Sequence, residues 1–245
     1  MPSAPRISLV IPAYNEEKLL PRLLDSVDEA SAAYRGGRES VEVIVADNAS
    51  TDATGEIARA RRCAVVRVEK RVIAAARNSG AALAQGELLA FSDADMQIHP
   101  QTFNAIEDAI ATGRYVVGAT GVRLETMSLG LALTCALMYP LVWLTRMDTG
   151  VVFCRREDFE AVGGYDESLR LAEDVSFLWT MRRLGGTRGQ RLVRLRRVKA
   201  IASTRKFEQF GQWHYFALML KTAAAAVGIG SLDALAERYW YDIRR

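Results

Sequence analysis

The chain has 245 residues, half of them apolar and a quarter charged, with few prolines and a net charge of +3. That length suits one large α/β domain or two small ones, with ample length for a real core, and the composition excludes a disordered tail. The amino terminus holds no apolar signal core, so no export is expected. Cys63, Cys135 and Cys154 are odd in number and lack ligand-like spacing, which reads as buried thiols in a reducing, cytoplasmic compartment.

In chain order, Ile7-Ser8-Leu9-Val10-Ile11-Pro12 predicts a first buried strand ended by proline. Asn15, in the loop that follows, is placed to cap a helix whose apolar face is Leu19, Leu20, Leu23, Leu24 and Val27. Residues 41–46 predict a second strand, closed by Asp47-Asn48-Ala49-Ser50-Thr51-Asp52, where Ser50, Thr51 or Asp52 can cap a helix beginning near Ala53. A third strand over 64–68 leads to an alanine-rich helix over 73–84. A short apolar run, Gly86-Glu87-Leu88-Leu89-Ala90, then delivers Phe91-Ser92-Asp93-Ala94-Asp95-Met96. Four strands alternating with three helices predict a parallel sheet with right-handed crossovers.

Asp93 and Asp95 sit one residue apart at a strand's carboxyl end and are expected to point the same way. That end is where ligands collect in an open α/β sheet. Two hard oxygen ligands there suit Mg²⁺ or Mn²⁺, which in turn can hold a diphosphate. The loops suit a nucleotide as well: Tyr14 can pack on a base or sugar, Asp47 can accept from a base N–H or a ribose hydroxyl, and Arg77 can reach a phosphate. The plain alternative makes Asn15, Asp47 and Asp52 helix caps. Gly-x-Gly-x-x-Gly and a phosphate loop ending Gly-Lys-Ser/Thr are absent from the sequence, which disfavours ordinary dinucleotide enzymes and P-loop phosphotransferases.

These blocks, in order, resemble the family-2 glycosyltransferases. They are Val10-Ile11-Pro12-Ala13-Tyr14-Asn15-Glu16, Val45 through Asp52, Ala76-Arg77-Asn78-Ser79-Gly80 and Asp93-Ala94-Asp95, followed by Gly163-Gly164-Tyr165-Asp166-Glu167 and Ala172-Glu173-Asp174. The resemblance implies a glycosyltransferase A-type fold, a mostly parallel central sheet flanked by helices. It also implies a nucleotide-diphosphate sugar donor and a divalent metal. It assigns the donor pocket to Pro12, Ala13, Tyr14, Glu16, Asp47 and Arg77, with Asp93 at the ribose or sugar and Asp95 on the metal. Positions 48 and 49, commonly Asp-Gly in the family, are Asn48 and Ala49 here.

Residues 127–144 carry no charge, near the lower length limit for a membrane span. A crossing there would put Asp95 and Asp174 on opposite sides of a bilayer. An interfacial helix or a hydrophobic lid over a lipid acceptor fits better, and a core or homodimer helix stays open. Residues 148–153 return to strand character, and the resemblance places Thr149 and Gly150 on the acceptor side. Glu173-Asp174 precedes an apolar-periodic segment and so opens a helix. There Asp174 is either a cap or the base that deprotonates an acceptor hydroxyl, with Glu173 orienting the acceptor or a nearby base.

Between Arg182 and Lys206 lie ten basic residues and no acid. This field favours phosphates, anionic lipid headgroups or nucleic acid, the plain alternative being a pair of strands with solvated arginines. With the family resemblance, nucleic acid drops out as a partner. Arg205 and Lys206 are candidates for neutralising the leaving diphosphate, and His214 for a third metal ligand. The expected organisation is a catalytic domain over 1–205, with nucleotide half 1–95 and acceptor half 96–205, then a helical extension over 206–245. The expected activity is metal-dependent sugar transfer with inversion, at or near a membrane surface and with a lipid-linked or saccharide acceptor. Retention within the same fold, nucleotidyl transfer and a non-catalytic membrane-surface role are the alternatives.

Overall fold

The computed structural model describes residues 4–126, 150–170 and 172–204. Eight strands in these residues form one sheet in the order β3-β2-β1-β4-β7-β6-β8-β5. The first half holds β1 (Ile7–Ala13), β2 (Val41–Asp47), β3 (Ala64–Arg67) and β4 (Leu88–Phe91). All are mutually parallel, as the apolar runs and crossover lengths predict. The second half is mixed. β7 (Val152–Arg155) runs antiparallel to β4 and to β6 (Tyr115–Leu124), β8 (Arg191–Ala202) runs parallel to β6, and β5 (Met96–Gln97) runs antiparallel to β8.

Strand alternation assigns the two faces. Leu9, Ile11 and Val45 face helices α1 (Leu20–Ala32) and α4 (Thr102–Ala111), joined by Leu20, Leu23, Phe103 and Ile106. Val10, Ile44, Leu89 and Phe91 face α3 (Ile73–Leu83) and α6 (Glu173–Thr187). Gly80 lets α3 lie directly on β1, because a Cβ there would collide with Val10. The remaining helices are α2 (Thr54–Ala60) and the short α5 (Arg156–Ala161). Cys154 is buried in β7 and Cys63 is half-buried. Among the described residues, no helix is long and apolar enough to cross a membrane.

Three local expectations are corrected. Asn15 does not cap α1, which begins at Leu20 without a side-chain cap; its Oδ1 instead accepts from the Thr51 N–H at 2.9 Å, across to the next loop. Asp93 and Asp95 are not set by strand alternation, since β4 ends at Phe91 and a turn closed by Met96 N to Asp93 O carries them. The basic stretch is not two strands: through residue 202 it is the end of α6 and one strand, β8, with a bulge. The segment 127–144, Thr149, Arg205, Lys206 and His214 lie outside the described residues.

Candidate active site

β1 is flanked by β2 on one side and β4 on the other, so the chain reverses its order across the sheet between β1 and β4. Loops leaving the carboxyl ends of strands at such a point diverge and open a crevice. The β1–α1 and β2–α2 loops on one side of it are laced together. Asn15 N donates to Ser50 Oγ (3.1 Å), Glu16 N to Thr54 Oγ1 (2.8 Å) and Glu17 N to Asp52 Oδ2 (3.1 Å). Asp52 also accepts from Thr54 N at 3.0 Å, but it precedes the N-cap residue Ala53, and α2 begins without a side-chain cap. Pro12, Ala13 and Glu16 lie in this laced region, Ala13 and Glu16 buried and Pro12 half-buried.

Asp47 is buried at the end of β2. Its Oδ1 accepts from Ser50 N at 2.9 Å and its Oδ2 lies 3.4 Å from Arg67 NH1. Tyr14 carries a partner that sequence reading missed: the Arg71 guanidinium lies over its ring, 4.2 Å from the centroid. Arg71 stands in the loop after β3, and Asn48 fixes that loop by donating from Nδ2 to Val68 O (3.2 Å) and Lys70 O (2.8 Å). An aspartate at position 48 has no donor for those carbonyls, which gives the departure to Asn48 a physical reason. Ala49 adopts φ 62°, the left-handed region where glycine is unstrained. The only sequence signals for this assembly are Lys70-Arg71 just ahead of α3 and the Asn48-Ala49 pair.

On the other side of the crevice, residues far apart in sequence meet on one guanidinium. Arg77, on α3, is only 4% exposed. Its NH2 donates to Asp93 Oδ1 at 2.8 Å, its NH1 to Glu173 Oε1 at 2.9 Å, and Asp174 Oδ1 lies 2.7 Å from NH1. The guanidinium also sits over Tyr165, 5.0 Å from the ring centroid. Beneath it Phe91, Phe159, Tyr165 and Phe177 pack ring to ring, with Tyr165 and Phe177 stacked at 4.3 Å. Arg77 is thus committed to carboxylates instead of being extended toward a phosphate.

Asn78 clamps the Gly163–Glu167 stretch from the next position of α3. Its Oδ1 accepts from Tyr165 N and its Nδ2 donates to Tyr165 O, each at 2.9 Å, and to Glu167 Oε1 at 3.0 Å. Gly164, at φ 75°, must lack a side chain, because a Cβ would stand 2.7 Å from Asn78 Oδ1. Ala172, at φ 60°, turns the chain into α6 so that Glu173 and Asp174 open its first turn beside Arg77.

Three carboxylates around one guanidinium leave an excess of negative charge in a buried place. Burial first, then repulsion from Asp93 and Glu173, push the Asp174 carboxyl up to about 7, against the pull of Arg77. Burial opposes the charge of Arg77, but Asp174, Asp93 and Glu173 outweigh it and hold the guanidinium protonated. Asp95 is half-buried in the turn after β4, and its carbonyl accepts from Ser203 N at 3.1 Å, which ties the turn to the end of β8. The described residues contain no cluster of three or more His, Cys, Asp or Glu side chains arranged to hold a metal. Asp93 and Asp95 offer hard carboxylate oxygens, the donor type that Mg²⁺ or Mn²⁺ takes.

Residues 8–129 match the family model described as glycosyl transferase family 2, a span that holds Asp47, Arg77, Asp93 and Asp95 and stops short of Glu173. Glycosyltransferase AglE of Haloferax volcanii is 35% identical over 126 residues, 49% of this chain and 38% of the relative. An undecaprenyl-phosphate 4-deoxy-4-formamido-L-arabinose transferase of Pseudomonas paraeruginosa is 34% identical over 120 residues, 46% of this chain and 34% of the relative. The chain thus spans little more than a third of the length of either. Among solved structures, mannosyltransferase PcManGT of Pyrobaculum calidifontis, in complex with GDP-Man and Mn²⁺, superposes with a TM-score of 0.65 at 21% identity. That superposition covers 89% of this chain and 65% of PcManGT, and it shows a common fold. On the match over residues 8–129, the chain belongs to glycosyl transferase family 2.

Proposed function

We propose that the chain transfers a sugar from a nucleotide-diphosphate sugar to a hydroxyl acceptor with inversion, using a divalent cation. One observation carries the reading: Asp93, from the turn after β4, and Glu173 and Asp174, from the start of α6, converge on Arg77 at the mouth of the sheet. The GDP-Man and Mn²⁺ of PcManGT support the donor class and the metal. The name of the Pseudomonas relative supports a lipid-linked acceptor.

In this reading Tyr14, backed by Arg71, packs against the donor's base, and Asp47 receives its hydrogen bonds beside Pro12, Ala13 and Glu16. Asp95, with Asp93 beside it, would hold Mg²⁺ or Mn²⁺, which supplies charge neutralisation for the diphosphate. Arg205 and His214 are proposed to join the diphosphate and the cation. Asp174 takes the acceptor's proton as the acceptor oxygen bonds to the anomeric carbon. The bond from that carbon to the diphosphate oxygen breaks, and its electron pair leaves with the diphosphate. Arg77 positions Asp93, Glu173 and Asp174, and Glu173 helps to fix Asp174. Residues 1–95 then form the nucleotide half and 96–205 the acceptor half, with 206–245 as an extension.

A base in this role contributes about 10²–10⁴-fold in rate. Asp174→Asn should therefore bind donor normally, by thermal shift with UDP- and GDP-sugars and Mn²⁺, and lose transfer by that factor. Transfer retained by this variant refutes the base, and equal hydrolysis by wild type and Asp95→Ala refutes the metal role. A product whose anomeric configuration matches the donor's, read by NMR, refutes inversion.

A further inference from the structure

Among the described residues the exposed cations are unevenly paired, and Lys18, Arg59, Arg62, Arg114 and Arg123 stand singly without an acid. Around the parallel half most of the other cations are paired: Arg6 with Glu87 and Glu107, Arg22 with Glu125, Arg35 with Asp108, Arg38 with Asp28, Arg61 with Asp25 and Asp28, and Lys70 with Glu167. On α6 and β8, Arg183, Arg191, Arg196, Arg197 and Lys199 are exposed and pair with no acid among the described residues. Arg188 is the exception, pairing with Asp158.

Two further features belong to the same two elements. Trp179, on α6, is 44% exposed, with the Arg182 guanidinium 5.3 Å from its ring centroid. Among the described residues only Leu83 is a comparably exposed large apolar side chain. On β8, Thr120 of β6 faces Leu195 while the next residue, Gly121, faces Lys199, so Arg196, Arg197 and Val198 bulge from the ladder. Both arginines of the bulge are exposed.

Charge on β8 has a simpler use. Only Ile201 and Ala202 pair with β5, so the strand is otherwise a sheet edge among the described residues, and charge on an edge blocks strand addition. Either sign serves that purpose, and it leaves Trp179 on α6 without a role. Unpaired arginines of one sign beside an amphipathic indole match a different chemistry: a layer of anionic headgroups over hydrocarbon.

We propose that the exposed face of α6 and β8 docks on an anionic phospholipid bilayer, with Trp179 at headgroup depth and the arginines and Lys199 against the lipid phosphates. The proposal is independent of the transfer reading, because none of these side chains belongs to the Arg77 cluster or the laced loops.

Flotation of the full chain with phosphatidylcholine vesicles, with and without phosphatidylglycerol, at low and high salt, tests it. Binding is expected only with phosphatidylglycerol and should collapse at high salt. Arg196→Glu with Arg197→Glu should weaken partition on the order of 30-fold or more, while keeping a charged edge, an unchanged melting temperature and unchanged donor binding. Trp179→Ser should weaken it less. Equal partition by the double variant and wild type, or binding to neutral vesicles alone, overturns the proposal. So does retention by a soluble acidic polysaccharide without binding to anionic vesicles, which would assign the face to a polymeric acceptor.

Discussion

The two halves of the sheet solve the problem of placing side chains in different ways. In the parallel half, β1 to β4, the loops at the crevice are fixed by hydrogen bonds between neighbours: Asn15 with Ser50 and Thr51, Glu16 with Thr54, and Asn48 with the Val68 and Lys70 carbonyls. In the mixed half, Glu173 and Asp174 are held to the rest of the site by an ion-pair junction with Arg77. Uncharged bonds hold their geometry across pH. A crowded set of carboxylates on one cation responds to every proton. The donor side uses a carboxylate as well. Against the effect of burial, the bonds from Thr54 and Glu17 hold Asp52 below the usual carboxylate range, so near neutral pH that side stays fixed while the base side titrates.

The sharpest way to break this contrast is to remove the cation. Arg77→Met leaves the largely buried Glu173 and Asp174 facing each other beside a partly exposed Asp93, a loss on the order of 3 kcal/mol in urea unfolding at pH 8. The deficit should shrink as pH falls and the carboxylates protonate.

The pH dependence of the intact chain comes next, and its two readouts run in opposite senses. Asp174 is held at about 7 in the folded state, against about 3.9 when unfolded. Between these values the folded state binds more protons, so this group's contribution to stability is full below pH ~4 and is lost as pH rises through 7. Transfer needs the deprotonated form and should rise across the same upper limb. Asp174→Asn should flatten that part of the stability profile. A stability profile without this fall in wild type would show that Asp174 titrates normally.

Smaller effects belong to the donor frame. Asn48→Asp keeps the size and removes both donated bonds, setting a carboxylate against two carbonyls, at a cost of about 1–3 kcal/mol. Donor affinity should weaken with it, because the loop that carries Arg71 over Tyr14 is released. Ala49→Gly acts in the other direction. It relieves a left-handed alanine worth about 1 kcal/mol, a rise in melting temperature of roughly 2–4 °C by calorimetry.

How much of this was legible in the sequence follows from the range of the forces involved. β1, β2, β4, α1 and α3 are set by local periodicity, and their residues announce them. Asp47, Asp93 and Asp174 could be singled out because their blocks stand in family order. The partner of Asn15 lies 36 residues away, so its amide read as a local cap and proved to be a bond between loops. The plain alternative for the basic stretch, a pair of strands, missed that its first part closes α6 and that the rest is one bulged strand. Two-residue β5 exists only through its pairing with Ile201 and Ala202 and has no sequence signal of its own. Arg71 and Asn78 act through contacts that only the assembled sheet creates, and so their roles were not visible.

The position of Arg77 also bears on the order in which the chain is made. A ribosome delivers Arg77 and Asp93 long before Glu173 and Asp174 appear, so a nascent amino-terminal portion carries a core-directed guanidinium with one acid for company. Such a portion has reason to stay open there until α6 arrives. A fragment ending near residue 97 should accordingly expose its α3 amides to solvent exchange, and adding back the remainder should seal them.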